Sequence, residues 1–212
     1  MTVRPEMTDR TERLRFELVA TGHPARATAE AFVRAIYAER YGAVVHVFPE
    51  TLAVLTDANG DPACVAGVRF GLVECFSEQY LDLPIELALR EATGRAADRR
   101  QILEVTTLAS DRRASPLQLV DAVVSAGRAL GMRWGVFTAT RPLRAALRRA
   151  GIELIELAPA RQDRIASAGD WGSYYETDPW VCAVVDQVPV AVAAGDASAP
   201  VVPRLVADAA HG

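Results

Sequence analysis

The first ordered pattern along the chain has a period of two: Leu14, Phe16 and Leu18 alternate with charged residues, predicting a strand over 14–19. The period then lengthens. Over 25–40, Phe32, Val33, Ile36 and Tyr37 fall on one face at helical spacing, which predicts an amphipathic helix. Residues 52–56 and 63–70 read as strands joined by the turn-rich DANGDP, a hairpin. In the second of these, Cys64, Ala66, Val68 and Phe70 share one face, and Val65, Gly67 and Arg69 share the other. A glycine inside a strand marks a bulge or the close approach of another chain or ligand, so Gly67 is singled out.

A helix is predicted over 83–93, closed by Gly94, and a strand over 102–108. The next helix opens at Ser115 or Pro116, since proline suits a first helical turn, and carries the stripe Leu119, Val120, Val123, Val124, Gly127 and Leu130. A strand over 133–139 precedes a helix over 140–150, with Thr140 as cap and Gly151 as stop. Strands over 152–157 and 179–186 complete the pattern. A hairpin followed by alternating strands and helices predicts an α/β domain with a mixed sheet. No internal repeat is visible. One domain over 14–186 is expected, with a disordered 1–13 and a flexible tail over 187–212.

Composition narrows the chemistry. All 23 basic side chains are arginine, so Schiff-base and phosphate-loop lysines are excluded. A net charge of -4 gives no support to nucleic-acid binding. Cys64, Cys75 and Cys182 are odd in number and widely spaced, and His23, His46 and His211 are scattered. Neither a disulfide framework nor a metal site is expected. The polar start lacks the apolar middle of a signal peptide, and no apolar run is long enough for a membrane span. A cytoplasmic location is the expectation.

Several segments together resemble one family: YAERYGA (37–43), GVR (67–69), EQYLDLPIE (78–86), ILEVTTLAS (102–110), WGVFTAT (134–140) and WGSYYETDPWV (171–181). As an ordered set over roughly 14–186 they resemble the thermostable hemolysins, a family placed beside the GNAT-like acyltransferases and the acyl-homoserine-lactone synthases. The resemblance implies a mixed, mostly antiparallel sheet with splayed central parallel strands flanked by helices. It also implies acyl transfer from a thioester donor, acyl-CoA or an acyl-carrier protein's phosphopantetheine, to a small amine or amino-acid-like acceptor.

On that reading the donor's arm pairs with the free edge of strand 102–108, at Thr106 and Leu108, and its phosphates meet Arg112, Arg113 and Ser115 before the next helix. The usual glycine-rich fingerprint is altered there: Ser115 and Leu117 stand in glycine places, and Pro116 removes an N–H. Transfer also needs a base and an acid. Glu104, mid-strand among apolar neighbours, is the candidate base or amine holder; its structural alternative is an ion pair with Arg69. Arg69, Glu78 and Asp82 are candidates for acceptor binding, with Asp82 alternatively a helix cap. Tyr174 and Tyr175 are candidates for the acid or oxyanion donor, or packing residues. Cys75 lies among acidic neighbours that disfavour a thiolate, and no GxSxG elbow exists, so direct attack without an acyl-enzyme is expected. The competing function is a non-catalytic or membrane-active protein of hemolysin type.

Overall fold

The alternation at the start of the chain becomes β1 (Arg15–Ala20), and the helical stripe that follows becomes α1 (Arg26–Tyr41). The computed structural model describes residues 14–71 and 74–185, so the expected disorder at 1–13 and tail at 187–212 lie outside the described residues. The hairpin is β2 (Thr51–Thr56) and β3 (Pro62–Phe70). After it come α2 (Ile85–Thr93), β4 (Ile102–Ser110), α3 (Pro116–Ala129), β5 (Trp134–Ala139), α4 (Arg141–Arg149), β6 (Ile155–Pro159) and β7 (Trp180–Val185).

Local chemistry sets the helix ends. Ser115 caps α3 and Thr140 caps α4, its hydroxyl accepting from the Leu143 amide at 3.5 Å. Gly42 and Gly94 close α1 and α2 in the left-handed conformation. β6 begins three residues later than its apolar pattern suggests. The reason is that the end of α4 retains Ile152, whose amide donates to the Leu147 carbonyl at 3.0 Å.

The strands form one sheet in the order β1-β2-β3-β4-β5-β7-β6. Only β4 and β5 pair in parallel; every other neighbouring pair is antiparallel. Alternation distributes the core to both faces. Val19, Leu52, Val54, Val65 and Ala109 pack with Val33 of α1, and further along the same face Ile102, Trp134 and Val136 pack with Ile85 and Leu89 of α2. Ala53, Cys64, Ala66, Val68 and Leu103 face the other way, toward Leu119 and Val123 of α3. Side chains as large as Leu52, Ile85, Leu89 and Leu119 are buried almost completely, each stabilising the fold by about 1.5–3 kcal/mol relative to exposure.

Gly67 sits where the packing is tightest. A Cβ there would lie 2.6 Å from both the Pro49 ring and the Thr106 hydroxyl, so the groups that crowd this glycine belong to its own chain, and the bulge expected of it lies beside it. Opposite it the register of β3 and β4 shifts: Val65 pairs with Ala109 but Gly67 with Thr106, so Thr107 and Leu108 together oppose Ala66. Thr107 adopts φ 46°, rare for a branched residue, and the bulge bends β4 away from β5.

Candidate functional site

The bulge shapes the site. Pairing between β4 and β5 runs from Ile102 with Trp134 to Val105 with Phe137 and then stops. β3 continues along β4 to Ser110, and β7 continues along β5 to Ala139, so the strands diverge while each keeps its outer partner. From Thr106 onward the β5-facing edge of β4 therefore carries backbone groups with no strand partner. The hydroxyls of Thr107 and Thr138, one from each diverging strand, are buried without a hydrogen-bond partner.

A cavity of about 2160 Å³ is lined through this split from both faces of the sheet. On one face its wall is aromatic: Tyr37, Tyr41, Trp171 and Tyr174, with Tyr37 stacked on Tyr174 at 6.3 Å and Trp171 5.5 Å from Tyr174. On the other it is apolar, with Val120 and Val124 of α3 facing Leu143 and Ala146 of α4. The stripe read along α3 thus divides: Leu119 enters the core, Val123 is buried but borders the cavity, Val120 and Val124 line the cavity, and Leu130 is exposed.

The aromatic wall is positioned by residues 170–173, which dock on the end of α1. The Val44 amide donates to the Asp170 carbonyl at 2.6 Å and the Ser173 amide to the Tyr41 carbonyl at 2.9 Å. Gly172, at φ 49°, allows this approach; a Cβ there would overlap the Tyr41 carbonyl oxygen.

Of the residues singled out from sequence, Arg69, Thr106, Leu108 and Tyr174 line the cavity. Glu104 does not. It is fully buried, and its carboxylate accepts from five donors: Arg69 Nη1 at 3.0 Å, the Phe76 amide at 3.0 Å, the Ser77 amide at 2.7 Å, Ser77 Oγ at 2.8 Å and Cys75 Sγ at 3.3 Å. A carboxylate has about four lone-pair sites, so none remains for a substrate proton. The ion pair with Arg69, the structural alternative, is what forms. Burial and then the neighbouring Glu104 charge push the Cys75 thiol up, so it stays protonated and donates.

Glu78 and Asp82 also point elsewhere. Glu78 binds Arg99 in bidentate fashion, at 2.6 and 2.7 Å, and accepts from the Ile85 amide at 2.8 Å, capping α2 from seven residues away. The hydrogen bond from Arg99 holds its carboxyl below the usual range. Asp82, the alternative cap, instead meets Arg164 at 2.9 Å and is largely exposed. Tyr175 lies behind the wall, with its hydroxyl 2.8 Å from that of Tyr80. Tyr174 is at the wall, and burial raises its hydroxyl well above its ordinary pKa, so it remains an O–H donor. Arg113 is tied to Asp57, to Asp111 at 2.7 Å and to the Pro62 carbonyl at 2.7 Å.

Two further residues belong to the site. Residues 43–49 form an extended strap between α1 and β2, and from it His46 lines the cavity with Asp170, Nε2 to Oδ2 3.5 Å. A histidine isolated in sequence gave no signal; its partner lies 124 positions on, in a segment without periodicity. Among the described residues no cluster of His, Cys, Asp or Glu has the makings of a metal site, and no helix is long and apolar enough to cross a membrane.

A mostly antiparallel sheet whose one parallel pair splays around a cavity, with helices on both faces, is a GNAT-like fold. The chain belongs to the thermostable hemolysin family, which matches residues 19–188. No protein of curated function matches it in sequence. Among solved structures, the AHL synthase LasI aligns with a TM-score of 0.55 at 13% identity, over 82% of this chain and 90% of that one. FeeM, an N-acyl amino acid synthase from uncultured soil microbes, aligns at 0.54 and 15% identity, over 84% and 92%. A putative N-acetyltransferase from Lactobacillus plantarum aligns at 0.51 and 16% identity, over 80% and 95%. At these identities the likeness is one of fold.

Proposed function

We propose that the protein is an acyltransferase that moves an acyl group from a thioester on a phosphopantetheine arm to the amine of a small, carboxylate-bearing acceptor. The observation that carries this reading is the β4–β5 split, with its free strand edge and a cavity lined from both faces. The arm's amides pair with β4 near Thr106 and Leu108, as an added strand does. The acyl chain lies against Val120, Val124, Leu143 and Ala146.

The acceptor occupies the aromatic side. Arg69 uses one N–H on Glu104 and among the described residues makes no other hydrogen bond, so the rest of its guanidinium is left for a carboxylate. Glu104 is accordingly a positioning residue. The amine nitrogen adds to the thioester carbonyl and the C–S bond breaks, with Tyr174 donating a hydrogen bond to the departing sulfur. His46, 3.5 Å from Asp170, takes the proton the amine loses and passes it to the sulfur, which leaves as thiol.

A long-chain product of this reaction is an amphiphile with a carboxylate head. The lysis named in the family's description then resides in the product rather than in a membrane-inserting chain. Mass spectrometry of mixtures of the protein, medium- and long-chain acyl thioesters and a panel of amino acids tests the reading. Acylated amines are expected. Absence of any acylated product with every donor and acceptor would overturn it.

A further inference from the structure

We infer that the donor arrives on a carrier protein rather than as free coenzyme A, an inference that rests on the acyl-transfer reading above. The free edge of β4 leads into residues 111–115 and the start of α3, so the phosphate end of the arm is delivered there. Coenzyme A brings a pyrophosphate and a ribose phosphate to that point; a carrier-borne arm brings a single phosphodiester.

A pyrophosphate needs several unoccupied amides at a helix start. α3 offers none. The Ser115 amide donates to Gln118 Oε1 at 2.8 Å, and the Leu117 amide to Ser115 Oγ at 3.3 Å. The Gln118 amide donates to the Ser115 carbonyl at 3.0 Å, and Pro116 has no N–H. This capping box closes the anion site that a glycine-rich turn would open.

The charge balance agrees. Arg112 and Arg113 are offset by Asp111 and by Asp57, both of which hold Arg113. Arg112 and Arg113 are both exposed, but Arg112 makes no hydrogen bond or ion pair with another described residue. One cation suits one phosphodiester. Across the split Arg141 opens α4 with its side chain 73% exposed; its partner Asp178, 3.5 Å away, is shared with Arg144 at 2.9 Å, so the positive charge there stays in excess. Arg112 and Arg141 thus present positive charge on both sides of the diverging strand ends, which complements an acidic carrier protein.

The test compares one acyl group on three donors: carrier protein, coenzyme A and pantetheine. Carrier-borne donor is expected to exceed acyl-CoA in kcat/KM by about tenfold or more, and to lose that advantage as salt screens the Arg112 and Arg141 charges. Acyl-CoA and acyl-pantetheine are expected to agree within about threefold, because the start of α3 offers the nucleotide no unoccupied amide. A preference for acyl-CoA over both would overturn the donor inference and leave acyl transfer intact; no turnover with any of the three would overturn both. In Ser115→Gly/Gln118→Ala, with folding checked by circular dichroism, the freed amides are expected to tighten coenzyme A inhibition by about tenfold. Unchanged inhibition in the folded variant would overturn the account of the closed helix start.

Discussion

Arg69 and Glu104 stand opposite each other in the β3–β4 register and meet at 3.0 Å, one side chain at the cavity wall and the other fully buried behind it. The pair joins the aromatic side of the cavity to the turn at Phe76 and Ser77, whose amides bind the same carboxylate. A saturated carboxylate thereby fixes a guanidinium that is otherwise left to the cavity.

Substituting Glu104→Gln separates these roles. The amide would place an N–H against donors from Ser77 and Phe76 and leave Arg69 without its counter-charge. Stability is expected to fall by about 3 kcal/mol. The matching drop in Tm is about 6–12 °C for a domain of this size. If Glu104 were a base instead, thermal unfolding would barely change while kcat collapsed.

Arg69→Lys keeps a charge but loses the planar fork. If the guanidinium binds the acceptor's carboxylate as proposed, KM for the acceptor is expected to rise about tenfold or more, with KM for the donor little changed. Steady-state kinetics with each substrate varied in turn reads this directly. An equal rise in both constants would point to a general distortion of β3.

Local devices in this fold are legible in sequence because their causes are local. Ser115 and Thr140 cap the helices they precede, and Gly67 sits beside the bulge its place in a strand implies. The chemistry of the site was harder to read because its partners are remote. Glu104 is a plausible base only until Cys75, Phe76 and Ser77 fold over it; Glu78 becomes a cap only because α2 begins at Ile85 rather than after Asp82. The final strand inserts between β5 and β6, and residues 160–179 wall the cavity through short turns that carry no period.

Glu78 also sets an acid limit. Its carboxyl is held below its ordinary value of about 4.5, first by the Arg99 hydrogen bond, so the folded state binds its proton less readily than the unfolded chain. The stabilisation is therefore present above about pH 4.5 and is lost as pH falls through the lower folded value. Unfolding monitored between about pH 6 and pH 3 is expected to show a falling Tm, and Glu78→Gln is expected to flatten that fall while lowering Tm at neutral pH. An unchanged acid slope in the variant would remove Glu78 from the account.

Gly172→Ala tests the aromatic wall without touching an aromatic residue. A Cβ at that position meets the Tyr41 carbonyl oxygen at 1.9 Å, and φ 49° is itself unfavourable for alanine. The 170–173 segment must move, taking Trp171 and Tyr174 with it. A loss of about 3 kcal/mol or more is expected, along with loss of acyl transfer. Full activity with an unchanged Tm would mean that the wall is not docked through this contact.

The link between acyl transfer and lysis gives the last prediction, and heat separates its two parts. Most packed domains unfold well below boiling, whereas an acylated amino acid survives it chemically intact. Red cells exposed to a boiled mixture of protein, acyl thioester and acceptor are expected to lyse if transfer preceded the boiling. Mixtures lacking acceptor, or containing protein boiled beforehand, are expected to leave them intact. The controls matter because acyl thioesters are amphiphiles too, each buried methylene contributing about 0.8 kcal/mol to membrane binding. Lysis by the unboiled protein alone, with no donor present, would instead assign the activity to the chain.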